Sequence, residues 1–395
     1  MIAVLSDQAL QRLVDRLLFE QGRFEPVELL LAADLLAYED YEAWRTGRIA
    51  DLQGALRAAP TEVAEALRRA AEYARRQKLE ATSLDYRGWG AEDRRLAIGP
   101  DKALTEASSQ QWAPAADRAQ FDLFHDSSAL LIEAAISRAL AERRLDDARE
   151  KTAQLMRENP RHPRLSDFLR LIQAVDELGR YQPSAGPREQ LVNLEAVEPV
   201  ARGVLGHLAR DFLAGLWAAL AERLGDRPFE PAAFQLHASH AWARAGRWEA
   251  VRASVEAAPA WGDQPRLLTL HAEAAWRRHD LATARRDWMW LCWEHPVEAE
   301  RALGSASFPD PWLARLWRGF RDLHDPLDTE DFPAWLLLHE SIGTAHLPAD
   351  EAPPDERGEA YRLLDRLAHG DGDIALRRQL DETHPALLRA FLARI

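Results

Sequence analysis

The chain has 395 residues, and its 64 Asp and Glu residues outnumber its 50 Lys and Arg residues, which gives a net charge of −14. No segment concentrates Lys and Arg into a block. The sequence therefore argues against nucleic acid as a partner, because phosphate recognition requires a basic face. The single cysteine, Cys292, excludes an internal disulfide framework and a cysteine-based zinc site. Its position between Trp290 and Trp293 favours a small apolar core residue.

Length and composition indicate a large helical protein. A chain of this length exceeds the size at which one core keeps growing, so we expect two or more cores or one elongated array. Abundant Ala, Leu, Arg and Glu, with few runs of Val, Ile and Thr, are typical of an almost wholly helical protein. The sequence has no run of 18 apolar residues and no charged, apolar leader, so we expect a soluble cytoplasmic protein without a membrane partner.

Residues 1–79 are predicted to form an N-terminal helical domain. Ser6 is a good N-cap for an amphipathic helix, and Gly22 ends that helix. Pro26 opens a second helix, which is predicted to run without interruption to Gly47.

Two more helices are predicted in this domain, over 49–58 and 61–79, with Thr61 as the cap of the second. The turn before the first of them resembles that of a helix-turn-helix domain. However, the candidate recognition segment offers only Arg57 to a DNA groove, so DNA binding is not favoured.

Helical periodicity fails over 80–118, where Gly, Ser and Pro punctuate the chain. This segment is predicted to be either an irregular linker or a packed loop. Its aromatic residues Tyr86, Trp89 and Trp112 favour the packed loop, because such rings anchor a segment to a core.

Three later stretches share one spacing of residues. The clearest copy is Leu281, Ala284, Trp288 and Pro296. The same offsets recur as Leu145, Ala148, Thr152 and Pro160, and less completely as Trp248, Val251 and Pro259. In each copy the proline follows the second helix of a predicted pair, because proline cannot continue a helix.

This spacing resembles the tetratricopeptide repeat, a pair of antiparallel helices with a period of about 34 residues. The resemblance covers about 119–296. It implies an all-α fold in which antiparallel helical hairpins stack as a right-handed array over 119–300. A generic antiparallel helical array is the alternative.

The remaining predicted helices flank or extend this array. The longest apolar-periodic stretch, 189–224, is predicted to form two helices that Pro199 separates. Beyond 300 the repeat spacing decays, so 301–395 is predicted to be a C-terminal helical cap with helices that begin at Pro311 and Pro333. Eleven of the fourteen tryptophans lie from Trp217 onwards, which indicates either a bulky aromatic core or an aromatic surface in the later half.

The resemblance also implies a function. Stacked hairpins expose a concave groove lined by the first helix of each pair, where peptides and partner helices bind. Carried onto this sequence, the resemblance places Leu236 and five partner-binding candidates at the groove positions. The candidates are His240, Arg244, Glu273, Trp276 and Arg277. We therefore expect a non-catalytic scaffold that binds a protein or peptide through this groove, with self-association left open.

A purely structural role is the alternative for three of these candidates. Trp276 could pack between repeats while Arg244 and Arg277 only solvate the surface, although Trp and Arg are the residues that most often supply binding energy. The family's carboxylate-gripping Asn and Lys are missing at these positions, so recognition of a free C-terminal carboxylate is not implied.

No catalytic residue, cofactor or metal is predicted. The sequence shows no glycine-rich phosphate loop, no GxSxG turn and no paired-carboxylate signature. The alternative function is an enzyme with a site between the N-terminal block and the array, which a pocket lined by several buried charged residues would favour.

Two groups of histidines are candidate metal sites. His339 opens a stretch similar to a zinc-protease helix, but Gly343 stands where the second ligand would be needed. His237, His240 and His271 could supply three imidazoles, but no carboxylate supports them, and histidines between packed helices are common.

Overall fold

The computed structural model describes residues 5–90, 94–114, 126–179, 186–338, 347–368 and 374–393. Within these ranges the chain forms twenty α-helices, several short 3₁₀ turns and one two-stranded sheet, so the all-α prediction is confirmed. The chain divides into two compact units. The first is Met1–Leu224 with Arg244–Arg247, and the second is Gly225–Ala243 with Trp248–Ile395.

The first part of the first unit contains five helices and the sheet. The helices are α1 (Asp7–Gln21), α2 (Pro26–Ala32), α3 (Tyr38–Arg45), α4 (Pro60–Arg76) and α5 (Lys102–Ala107), and the strands are β1 (Glu80–Ser83) and β2 (Gln110–Ala113). The predicted boundaries of α1 are confirmed. The Ser6 hydroxyl accepts a hydrogen bond from the Ala9 N–H, and Gly22 ends the helix with φ of 71°.

The prediction of one continuous helix from Pro26 to Gly47 is wrong. The chain leaves the helix after Ala32, adopts φ of 58° at Asp34, and buries Leu35 and Leu36 before α3 begins. In an unbroken helix Leu36 would stay near the buried face of Leu29 but Leu35 would turn towards solvent, whereas the segment after Asp34 buries both side chains.

Two other predictions need correction in this region. The helix predicted over 49–58 is only one 3₁₀ turn, Gln53–Ala55. Helix α4 begins at Pro60 and not after a Thr61 cap, because proline at the first helical position needs no hydrogen-bond acceptor for its nitrogen.

The segment between α4 and the end of β2 belongs to the N-terminal core. β1 pairs with β2 in antiparallel register, with Glu80 opposite Ala113, a sheet that the sequence pattern did not predict. Tyr86, Trp89 and Trp112 are all buried in the same core as α1 to α4. The segment is thus anchored to these helices by its aromatic residues, while the side chains of β1 are exposed.

The first unit continues with five longer helices: α6 (Asp126–Ala141), α7 (Leu145–Glu158), α8 (Leu165–Gly179), α9 (Pro187–Leu205) and α10 (Ala209–Leu224). They pack as a bundle in which α10 contacts α6, α8 and α9. The break predicted at Pro199 is wrong, because α9 runs through this proline and the chain turns instead at Gly206, where φ is 57°. A proline removes one helical hydrogen bond, whereas a left-handed residue redirects the chain.

One described stretch, Pro187–Leu224, is long and apolar enough to cross a membrane by length and composition. Its most apolar window has a mean hydropathy of 1.2, and 61% of that window is buried inside the protein, as in the core helices of globular proteins.

The second unit contains ten helices among the described residues. They are α11 (Ala238–Arg244), α12 (Trp248–Glu256), α13 (Pro265–Arg277), α14 (Leu281–Glu294), α15 (Pro296–Leu303), α16 (Pro311–Arg321), α17 (Phe332–Leu336), α18 (Glu359–Ala368), α19 (Ile374–Thr383) and α20 (Pro385–Leu392). The last residue of α11, Arg244, belongs to the first unit. Pro311 begins a helix as predicted, and Pro333 is the second residue of α17.

The core of the second unit is aromatic. Trp288, Trp293 and Trp317 are buried, so the late tryptophans supply a bulky core. Trp317 stacks on Phe320 with ring centroids 5.5 Å apart. Cys292 is buried among these rings, and burial raises the pKa of its thiol, as expected for an inert core residue.

Three pairs of successive helices are joined by the same kind of turn. α6–α7, α11–α12 and α13–α14 are each joined by three residues, and the middle residue of each turn is left-handed: Arg143 (φ 59°), Gly246 (φ 72°) and His279 (φ 61°). The fourth residue of each second helix is completely buried, as Ala148, Val251 and Ala284. The left-handed turn therefore occurs three times at the places indicated by the sequence spacing, and the helices pack closely against each other in α6–α7 and in α13–α14.

This geometry generates a stability prediction. His279→Gly is expected to raise the free energy of unfolding by about 0.5 kcal/mol, because glycine adopts the left-handed conformation without the steric cost that a side chain carries. Arg278→Gly, one position earlier with φ of −98°, is the control and is expected to be destabilising. Thermal unfolding of the two variants measures the difference, and equal destabilisation by both would contradict the assigned turn.

Candidate functional site

The five predicted groove residues are distributed over both units. Arg244 lies in the first unit, where its guanidinium lies 4.5 Å from the Trp217 ring centroid and forms an ion pair with Glu198. His240 lies in the second unit and is half-buried, with its ring edge-on to Phe234 at 5.7 Å. These side chains thus have contacts within their own units.

The other three candidates lie on α13. Arg277 lies over the Trp248 ring at 5.4 Å and donates a hydrogen bond of 3.3 Å to the Glu273 carboxylate. Trp276 is half-buried, and the Arg277 side chain is 46% exposed. The structure therefore brings Glu273, Arg277 and Trp248 together on the surface of the second unit.

The three histidines weighed as zinc ligands have other partners. His237 Nδ1 lies 2.8 Å from the Ser239 hydroxyl, and burial lowers the pKa of this imidazole. Within the described residues no group of three or more His, Cys, Asp and Glu side chains could hold a metal ion. His339 and Gly343 lie outside the described residues.

His271 is the centre of a buried ionic cluster between α12, α13 and α14. Its Nδ1 lies 2.5 Å from Asp287, its Nε2 lies 3.1 Å from Glu256, and its ring centroid is 4.3 Å from that of Trp261. Burial lowers the pKa of His271, but the two carboxylates outweigh it, and the pKa is raised above 6.5. Arg252 and Arg286 in turn pair with these carboxylates.

The first unit contains a feature that the sequence did not predict, a polar cavity of about 270 Å³. It is lined from α2, α3, α10, the end of α6 and the segment between β1 and α5. Its charged and aromatic lining includes Glu28, Tyr41, Arg45, Trp89, Arg210 and Asp211. No sequence spacing relates these six residues, because four separate segments supply them.

One side of the cavity has two carboxylates that share one cation. Arg210 donates to Glu28 at 3.1 Å and to Asp211 Oδ1 at 2.9 Å. Burial raises the pKa of both acids, and the charge of Arg210 lowers it. For Glu28 the effect of Arg210 is the larger, so its pKa is lowered. For Asp211 the effect of burial is the larger, so its pKa is raised. Among the described residues no donor bonds to Asp211 Oδ2.

The lining also contains a cation without a close acceptor, Arg45. The Arg45 guanidinium lies 5.4 Å from the Trp89 ring centroid and 5.7 Å from that of Tyr41. Its nearest carboxylate oxygen, on Glu142, is 3.9 Å away, beyond hydrogen-bond distance. The side chain is 13% exposed, and its buried Nε has no hydrogen-bond partner among the described residues.

Helix α3, which carries Tyr41 and Arg45, is fixed by a third acidic residue. The Glu42 side chain is completely buried and accepts hydrogen bonds from Arg143, from Arg247 at 2.9 Å and from Arg48 at 3.3 Å. Burial raises the pKa of Glu42, but Arg143 and Arg247 outweigh this effect, so the pKa is lowered and the carboxylate stays ionised.

Comparison of this chain with protein-family models, with curated proteins and with solved structures gave no match.

The His271 cluster predicts a pH dependence. A raised folded-state pKa means that the imidazolium stabilises the fold fully below pH 6.5 and that this stabilisation is lost as pH rises through the raised pKa. Thermal unfolding followed between about pH 6 and pH 9 is therefore expected to show falling stability in the wild type. The fall should be smaller in His271→Gln. His237→Gln is the control, because its pKa shift has the opposite sign, and an unchanged fall in His271→Gln would contradict the assignment.

Proposed function

We propose that this chain is a non-catalytic, cytoplasmic scaffold of the tetratricopeptide-like kind, which holds a protein or peptide partner on the first helices of its hairpins. The recurring hairpin supports the repeat character, because three helix pairs share one turn and one buried position. Stacking of such units as a right-handed array is part of the proposal.

The observation that carries partner binding is the surface of α13. Arg277 presents a guanidinium that is already oriented by the Trp248 ring and by Glu273, so little side-chain freedom is lost when a partner binds it. Trp276 adds half-buried aromatic area on the same helix. Arg and Trp are the residue types that dominate binding energy at interfaces.

The partner experiment compares three forms of the full chain. Wild type, Arg277→Glu and Arg315→Glu are immobilised, and partners are captured from a native extract and quantified by mass spectrometry. Arg315 is an exposed arginine on α16 of the same unit, so it matches the change of charge away from the hairpins.

Arg277→Glu is expected to lower capture of a specific partner by about ten-fold, which corresponds to one lost hot-spot contact of about 1.4 kcal/mol. Arg315→Glu should capture the same set as the wild type. Equal capture by all three forms, or no specific capture by the wild type, would contradict the proposal.

A second candidate function is favoured by the cavity of the first unit. Its lining comes both from the N-terminal block and from α6 and α10, which is the place expected for the alternative enzyme site, and it includes the buried Asp211. Charged and aromatic side chains together line this cavity. For this cavity we propose binding of a small polar molecule.

A further inference from the structure

We propose that the cavity of the first unit binds a small zwitterion of the α-amino-acid class, whose carboxylate is held by Arg45 and whose ammonium group is held by Asp211. This inference deepens the second candidate function and is independent of partner binding by the second unit.

Arg45 is the group that would hold the ligand carboxylate. A guanidinium has five N–H donors, and a mostly buried one without hydrogen bonds is costly unless water or a ligand supplies acceptors. The Trp89 and Tyr41 rings hold the guanidinium in place without using its donors. A ligand carboxylate is the acceptor that fits best, because its two oxygens match the planar donor fork.

The ammonium side rests on Asp211. Its Oδ1 is held by Arg210, whereas Oδ2 accepts no hydrogen bond from the described residues. Glu28 and Asp211 share the hydrogen bonds of Arg210, and Arg45 acts on Asp211 only through its charge, without a hydrogen bond. A ligand ammonium would supply the donor that Asp211 Oδ2 lacks.

The distribution of charge favours a zwitterion over a simple ion. An inorganic anion at Arg45 would leave Asp211 Oδ2 without a donor from the described residues, and an amine at Asp211 would leave the Arg45 donors without acceptors. Other lining carboxylates already have cations, since Glu25 pairs with Arg23 and Glu142 with Arg144. Only a molecule that carries both charges satisfies both sides.

The size and the walls of the cavity fit a molecule of this class. A volume of about 270 Å³ equals about nine water molecules at about 30 Å³ each, which is room for one amino acid and too little for a nucleotide. Tyr41, Tyr86 and Trp89 form aromatic walls. These rings favour an apolar or aromatic side chain on the ligand.

The first experiment uses isothermal titration calorimetry of the full chain with four probes. L-phenylalanine and L-leucine carry both charges, 3-phenylpropionate lacks the ammonium group, and phenethylamine lacks the carboxylate. We expect at least one amino acid to bind about ten-fold or more tighter than both singly charged probes, because each missing group leaves a buried partner unsatisfied.

Three results would overturn the proposal. The first is no binding of either amino acid, the second is equal binding of 3-phenylpropionate, which would define an anion site, and the third is equal binding of phenethylamine, which would define a cation site. These outcomes are read on the wild type, so they do not depend on the folding of any variant.

The second experiment locates the site. Asp211→Asn and Arg45→Gln are each expected to weaken binding of the amino acid by about ten-fold or more. Arg75→Gln is the matched control, because Arg75 also lies over an indole, that of Trp112 at 5.4 Å, and does not line the cavity. Circular dichroism confirms that each variant is folded, and wild-type affinity in a folded Asp211→Asn variant would overturn the assignment.

Discussion

The first unit depends on one buried carboxylate. Glu42 has no exposed surface, and an isolated charge in that position would cost several kcal/mol. Three arginines reduce this cost, and two of them come from hairpin-type turns: Arg143 from the turn between α6 and α7, and Arg247 from the turn 244–247. The N-terminal block and these turns are therefore held by one ionic cluster, which is stable only when all its members are in place.

The same cluster positions the cavity. Tyr41 and Arg45 are four residues apart, so they share one face of α3, while Glu42 begins the neighbouring row. Fixing Glu42 fixes the rotation of the helix and with it the direction of Arg45. Trp89 contributes to both sites, because its ring lies 5.0 Å from the Arg143 guanidinium and 5.4 Å from that of Arg45. Electrostatic fixation of α3 and pre-organisation of the cavity are thus one physical effect.

Sequence reasoning predicted features that depend on local chemistry. The cap at Ser6, the left-handed glycine at Gly22 and the helix start at Pro311 each follow from one or two residues, and all were found. The equivalent buried positions Ala148 and Ala284 follow from periodicity. Where a local preference competed with burial, as for the leucine pair Leu35 and Leu36, burial prevailed and the predicted helix divided.

The cavity could not have been predicted in this way. Arg45, Trp89 and Asp211 are far apart in the chain, and each has an ordinary local context. A single arginine-aspartate pair such as Arg210 and Asp211 is common on helix surfaces, and only the tertiary structure shows that Glu28 faces the same guanidinium. The proposal of partner binding has another basis than the proposal for the cavity. It follows from the family resemblance of the hairpins, whereas the cavity is defined by charged residues that the tertiary structure brings together.

A double-mutant cycle between Glu42→Gln and Arg143→Gln tests the central claim most directly. Chemical denaturation of the wild type, both single variants and the double variant gives the coupling energy between these side chains. We expect a coupling of about 2 kcal/mol, because the Glu42 carboxylate is completely buried and Arg143 is one of the three cations that offset the cost of burying it. A coupling below about 0.5 kcal/mol, the range of independent surface sites, would show that the buried carboxylate does not hold the first unit together.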